Sequence, residues 1–286
     1  MAAKTKFPFL LLLLLLISIF IIPSNSATDT FVFGGCSQLK YTPGSPYETN
    51  VNSILTSLVN SAMFSSYNNF TMPGSTSGET VYGLFQCRGD LNNGDCGRCV
   101  AKAVSQLGTL CLLSTGGALQ LEGCFVKYDN TTFLGVEDKT VVVKKCGPLM
   151  SSSDTLARRD AVLGYLGASD GTYKPFRVGG SGDLQGVAQC VGDLSPSECQ
   201  DCLSDAIGRL KTDCGAAKWG DMYLAKCYVR YSEGGDHSHA GNDTNNNDDE
   251  IEKTLAILIG LIAGVALLIV FVSFLSRLCE KGKGGK

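Results

Sequence analysis

Histidine is nearly missing from this chain: 286 residues hold two, His237 and His239. Both fall in a polar run of Gly, Asn, Asp and Ser from 234 to 249, which reads as a solvated linker. A weak metal site at this pair is the alternative, and the linker reading is the better one. A hydrolase built on a serine or cysteine nucleophile needs a histidine base in its folded part, so that class is excluded. Tryptophan occurs once, at Trp219. It is read as a packed aromatic rather than a stacking platform for a sugar. A basic surplus is also lacking, with 24 Lys and Arg against 27 Asp and Glu. Six of the basic residues (Lys4, Lys6, Arg277, Lys281, Lys283 and Lys286) lie near the ends of the chain. The body between is therefore more acidic still, which argues against nucleic acid and does not favour polyanionic glycans. Carboxylates are plentiful, yet no spacing marks a catalytic pair. The chain is expected to be no enzyme and to use no cofactor.

Long apolar runs occur only near the two ends. Residues 1–26 read as a secretory signal: Lys4 and Lys6, an apolar run from Phe7 to Ile22, then Ser24 and Ser26 before a cut at Ala27. Residues 254–275 form an uncharged apolar stretch long enough, at ~1.5 Å per residue, to cross a hydrocarbon core of ~30 Å as a transmembrane helix. Acidic residues precede it and basic ones follow, so the rule that positive flanks stay inside puts the tail, 276–286, in the cytosol. That tail is too short to fold. The expected product is a single-pass type I protein of the plasma membrane, with a polar stalk at 237–253. Gly260 and Gly264 form a GxxxG that permits self-association of the helix. Cys279, just inside, is a candidate for palmitoylation.

What the chain has in abundance is cysteine, 13 in all, and their order is a duplication. Cys87, Cys96, Cys99, Cys111 and Cys124 are separated by steps of 9, 3, 12 and 13 residues. Cys190, Cys199, Cys202, Cys214 and Cys227 repeat those steps 103 positions later. The match extends past cysteine: Gln86-Cys87 answers Gln189-Cys190, and Gly89-Asp90-Leu91 answers Gly192-Asp193-Leu194. Two tandem modules follow, placed at 29–133 and 138–236. Assigning Cys36 to the first and Cys146 to the second gives six cysteines in each. An even set in a secreted context reads as disulfides, and spacing alone does not choose the pairing. Sequons at Asn69, Asn130 and Asn242 agree with glycosylation on that side of the membrane.

Within each module the pattern is α+β, a small antiparallel sheet with two helices packed on it. Phe31-Val32-Phe33 and Val141-Val142-Val143 read as strands. Val51, Ile54, Leu55, Leu58 and Val59 recur on one helical face. Leu156 to Leu166 is the matching helix of the second module, after a capping run at Ser151–Asp154. Residues 68–78 are polar and Gly-rich and read as a loop carrying the Asn69 sequon. The second helix of each module starts at a cap, Ser195 with Pro196 and Glu198, or more weakly Asn92 with Asp95. Its apolar faces are Val100, Ala103, Val104 and Leu107, and Leu203, Ala206, Ile207 and Leu210. The segments Ala118–Tyr128 and Met222–Tyr231 are β-rich. Cys96-Gly97-Arg98-Cys99 admits two sharper readings, a redox dithiol at a helix start and three ligands of a zinc site with Cys87. Structural bridges fit the compartment and the even count better.

The doubled Cys-x8-Cys-x2-Cys at Cys87–Cys99 and Cys190–Cys202 resembles the plant DUF26, or Gnk2-homologous, domain. A signal, two such modules, one span and a tail without a kinase is similar to the plasmodesmata-located proteins. That resemblance implies a membrane protein of plant intercellular channels that restricts cell-to-cell traffic, partly through callose deposition and callose-regulating partners. It also implies docking of viral movement proteins and a role in plant defence. It implies the pairs Cys36–Cys111, Cys87–Cys96 and Cys99–Cys124, then Cys146–Cys214, Cys190–Cys199 and Cys202–Cys227. The mannose site of the family's ginkgo lectin does not carry over. Its three places hold Ser37, Ala118 and Asp129 in the first module and Gly147, Asp221 and Ser232 in the second, and only Asp129 is conservative. The leading expectation is a non-enzymatic regulator of plasmodesmal traffic. Its rivals are a membrane-tethered apoplastic protein that binds a cell-wall glycan or other ligand, and a thiol oxidoreductase using Cys96/Cys99 or Cys199/Cys202.

Overall fold

A computed structural model describes residues 27–150, 153–169 and 171–234. The signal, stalk, span and tail expectations lie outside these residues, as do His237, His239, Asn242, Gly260, Gly264 and Cys279. Among the described residues no helix is long and apolar enough to cross a membrane.

The first module runs β1 (Phe31–Cys36), α1 (Pro46–Ser61), β2 (Tyr67–Met72), β3 (Val81–Cys87), α2 (Asn93–Leu110), β4 (Gly117–Leu121) and β5 (Cys124–Asp129). The second repeats it as β6 (Val141–Cys146), α3 (Ser153–Gly167), β7 (Phe176–Ser181), β8 (Leu184–Cys190), α4 (Pro196–Cys214), β9 (Trp219–Leu224) and β10 (Cys227–Glu233). Each forms a five-stranded antiparallel sheet, in the order β1-β4-β5-β3-β2 and β6-β9-β10-β8-β7.

The helices start where side chains satisfy their free N–H groups. The Ser45 hydroxyl accepts from Glu48 N ahead of Pro46, and the Asn92 side chain accepts from Asp95 N at 2.9 Å. Ser195 and Glu198 close a capping box, with Glu198 Oε2 accepting from Ser195 N at 2.9 Å. The apolar stripes then bury against one face of the sheet. Ile54, Leu58, Val100, Ala103 and Leu107 meet Phe85, Leu119 and Val126 in the first module. Leu163, Leu166, Leu203, Ala206 and Leu210 meet Leu184, Met222 and Val229 in the second.

The six bridges are Cys36–Cys111, Cys87–Cys96, Cys99–Cys124, Cys146–Cys214, Cys190–Cys199 and Cys202–Cys227. These are the pairs that the family resemblance implied. In the first module one bridge ties the end of α2 to β1, one ties its start to β3, and one ties its body to β5. The second module does the same with α4.

The polar stretch 68–78 is not simply a loop. Its first part belongs to β2, an edge strand paired with β3 from Tyr67↔Gln86 to Met72↔Val81. Phe70 and Met72 turn toward the core while Asn69 and Thr71 face water. A strand wet on one face looks polar by composition, because only every second residue is apolar. The apolar strands β3 and β8 lay outside the β-rich segments read from sequence, and each of those segments folds as a hairpin. The β7–β8 turn is closed by Gly182 at φ +65°, a left-handed position that glycine takes without strain.

Removing bridges should rank stability by loop length. In a chain-entropy account, serine pairs at Cys36/Cys111, which close a separation of 75, should cost roughly 4 kcal/mol. Pairs at Cys87/Cys96, which close a separation of 9, should cost roughly 2.5 kcal/mol. Urea denaturation of both variants gives the order, and a larger loss at Cys87/Cys96 would contradict it.

Candidate functional site

The repeated glutamine–cysteine and glycine–aspartate pairs meet at the seam between the modules. Gln86 Oε1 accepts from Gly192 N at 2.9 Å, while its amide donates to Cys87 O at 2.9 Å. The Gln189 amide also donates to Cys87 O, at 2.9 Å. The two glycines leave room for rings of the other module. A Cβ on Gly89 would stand 2.5 Å from Phe176 Cγ, and one on Gly192 would stand 2.8 Å from Tyr67 Cγ. Tyr67 and Phe176 occupy equivalent places on β2 and β7, so the packing is reciprocal.

Apolar and charged groups extend the seam. Leu84 and Phe125 of the first sheet pack with Phe133, at the end of the first module, and with Val191 of the second. Phe33 meets Tyr223 edge-on with centroids 5.9 Å apart, and Tyr223 stacks on Tyr228 at 5.0 Å. Burial pushes both tyrosine hydroxyls well above their ordinary value. Arg230 donates from Nε to Asp221 Oδ1 at 2.8 Å and reaches across to Glu122. Burial works against its charge, but Tyr223, Asp221 and Glu122 around it hold its pKa well above the ordinary value. Lys226 is likewise buried. It donates to Phe133 O at 2.8 Å and pairs with Asp193, whose Oδ2 accepts from Gly135 N at 2.9 Å. The linker is thus clamped by a charged group from the module it leads into.

Beside the seam, on the sheet of the first module, is an open cavity of about 380 Å³. Ser37, Ala118 and Asp129 all line it, together with Lys127, Val142 and Ala225. The sequence comparison with the lectin site therefore points to one place in space. Its polar groups are already engaged. Ser37 Oγ accepts from Thr115 Oγ1 at 3.1 Å, and Asp129 Oδ1 accepts from Thr131 N at 3.0 Å. The Lys127 ammonium sits 4.4 Å above the Phe133 ring, and its pKa is lowered by burial first and then by Lys226.

The corresponding place in the second module is filled. A Cβ on Gly147 would fall 2.3 Å from Trp219 Nε1, Asp221 is held by Arg230, and Ser232 is buried. Trp219 is a packing aromatic over Gly147. The dithiol and zinc readings lose their ligands, because Cys96 and Cys99 are bonded to Cys87 and Cys124. Cys199 and Cys202 are bonded in the same way to Cys190 and Cys227. Asn69 is exposed on β2, and Asn130 is half-buried just after β5.

The repeat exposed the seam residues as a pattern but gave no sign of their role. The buried charges Glu122, Arg230 and Lys226 carried no signal in the sequence, because each is defined by a partner distant along the chain.

Comparison with known proteins matches residues 35–131 and 145–234 to a family described as Salt stress response/antifungal. The chain is 67% identical to Plasmodesmata-located protein 6 of Arabidopsis thaliana over 92% of this chain and 93% of that one. It is 61% identical to Plasmodesmata-located protein 7 of the same plant, over 91% and 86%. It is also similar to the crystal structure of the tandem DUF26 ectodomain of the Arabidopsis thaliana cysteine-rich receptor-like protein PDLP5. The TM-score is 0.67 at 52% identity, covering 72% of this chain and 100% of the other.

Breaking the buried network at the seam should be expensive. Asp221→Ala leaves Arg230 without its bidentate partner and should lower stability by about 3–5 kcal/mol. Glu122→Ala, which leaves Asp221 in place, should cost less, and urea denaturation of the two compares them. Asp138 supplies a pH test. Burial would raise its pKa, but hydrogen bonds from Thr140 and the charges of Lys127 and Lys226 lower it below its ordinary 3.8. Its stabilisation is present above that value and lost as pH falls through the lower folded value. Asp138→Asn should therefore lower the melting temperature at neutral pH, with the difference from the parent vanishing in strong acid.

Proposed function

The chain belongs to the plasmodesmata-located proteins, and from that membership we propose that it is a non-enzymatic regulator that restricts cell-to-cell movement through plasmodesmata, acting with callose deposition. The observation that carries this reading is identity to such proteins over nearly the whole chain, across both modules and the seam that joins them. In this proposal residues 1–26 are removed, 254–275 anchor the chain in the plasma membrane, and 276–286 face the cytosol. The modules 29–133 and 138–236 stand on the stalk 237–253 in the apoplast, with glycans at Asn69, Asn130 and Asn242. Contact through Gly260 and Gly264, acylation of Cys279 and docking of viral movement proteins complete it.

A second reading, a membrane-tethered protein that binds a cell-wall glycan, is favoured by one observation, the open cavity beside Asp129 and Lys127. In that case Ala118→Trp should fill the cavity and abolish glycan-array binding by the ectodomain while leaving its melting temperature near the parent's.

The leading reading is tested by imaging the chain in leaf epidermis with a fluorescent tag after Lys286. The expected result is paired puncta across the wall that coincide with callose staining, together with reduced spread of a tracer dye on overexpression. A smooth signal around the cell, or unchanged dye spread, would count against it.

A further inference from the structure

Two five-stranded sheets leave four edges, β1, β2, β6 and β7. An open edge presents unpaired N–H and C=O groups that can take up another strand, and native sheets blunt it with bulges, lysines or bulky cover. Three of the four edges carry such a device. β1 has a register shift between Phe31 and Phe33, and β6 has one between Val141 and Val143. β6 also carries Lys144 and Lys145. On β2, Cys87 N donates to Ser66 O. By the alternation of an antiparallel ladder, Tyr67, Asn69 and Thr71 turn their backbone groups outward. The middle one of these is the Asn69 sequon.

β7 is the counterpart of β2 and has neither a register shift nor a sequon, and its one charge, Arg177, is turned back from the edge to Leu166 O and Ala168 O. Cys190 N donates to Pro175 O at 2.8 Å, so Phe176, Val178 and Gly180 are the residues whose N–H and C=O point outward. Val178 faces Val187 as Asn69 faces Leu84, which makes Val178 the residue standing where the first module has its sequon. Val178 is 49% exposed and Tyr165 beside it 64%. Between them a groove of about 430 Å³ runs along α3, lined by Ala161, Val162, Tyr165, Val178, Gly179 and Ser181.

We infer that β7 is the edge through which two copies of this chain pair, antiparallel and about a two-fold axis at Val178. The edge is self-complementary in that register. Val178 faces Val178 of the second copy and exchanges both backbone hydrogen bonds with it. Phe176, whose ring stays in the seam over Gly89, falls opposite Gly180, and Arg177, whose guanidinium is turned back to Leu166 O and Ala168 O, falls opposite Gly179, so no like charges face each other. β-branched and aromatic residues are the ones that pack well across strands. The two sheets become one, and the α3 helices come side by side on the same face, covering Tyr165 and the groove.

Cysteine trapping in the full-length chain tests the register. In an antiparallel hydrogen-bonded pair the Cα atoms are ~5.5 Å apart, within reach of a disulfide. Val178→Cys should therefore run at twice the parent mass without reductant, and Val142→Cys, on the guarded edge β6, should stay monomeric. The pairing is overturned if Val178→Cys stays monomeric while delivered at the parent's level, or if Val142→Cys dimerises as readily. Val178→Lys leaves the cysteines untouched and sets two ammonium groups on the axis. In a Gly260→Ile/Gly264→Ile background, which removes contact through the apolar stretch, it should halve the detergent-solubilised mass measured by light scattering. An unchanged mass would equally overturn the pairing.

Discussion

A helix that rests on a sheet through one apolar stripe is free to slide and tilt. In both modules this freedom is removed covalently, because α2 and α4 are each bonded to three different strands of the sheet beneath. The core of a module this small buries little apolar surface per residue, so the bridges carry a large share of its stability. They also fix the sheet, since β1, β3 and β5 can shift register only if α2 moves with them. The turn after β3 then has a set position, and so does the glycine that the other module packs against.

The seam shows what a duplication can and cannot keep symmetrical. Gly89 and Gly192 take the matching rings Phe176 and Tyr67 reciprocally, whereas the matching glutamines bond differently across the seam, Gln86 accepting from Gly192 N and Gln189 donating to Cys87 O. Around them the copies have diverged. Where the second module has Asp221, Tyr223 and Arg230, the first has Ala118, Gln120 and Lys127. The second module thus fills its own sheet face with a paired charge and a tryptophan and anchors the first through Glu122. The first keeps an open cavity on the same face. One copy has become the structural partner, and the other has kept accessible surface.

Much of this was legible in the sequence. Five cysteines in register twice gave the modules, and caps at Asn92 and Ser195 gave the starts of the long helices. Parity placed Cys36 and Cys146 in the right copies. The edge strand β2 was hidden because one wet face makes a strand resemble a loop. The charged clamp at Lys226 and the pairing of Arg230 with Glu122 were hidden for another reason. Each is a relation between residues far apart in the chain, and their sequence neighbours are ordinary. The cavity was half visible: Ser37, Ala118 and Asp129 could be aligned with a known site, but only the fold shows that they share a wall.

The bridges also determine how the described part of the chain would yield to a pull along its length. Bridges that overlap in sequence lock 36–124 in the first module, and a second set locks 146–227. Stretching force cannot lengthen either block much beyond the bonds that close it. The segment that can pay out slack lies between them, where Phe133 and Gly135 are held by Lys226 and Asp193. That clamp is the joint the load meets first, and the seam contacts, among them Arg230 with Glu122 and Gln86 with Gly192, must part after it before two modules that each remain folded can separate.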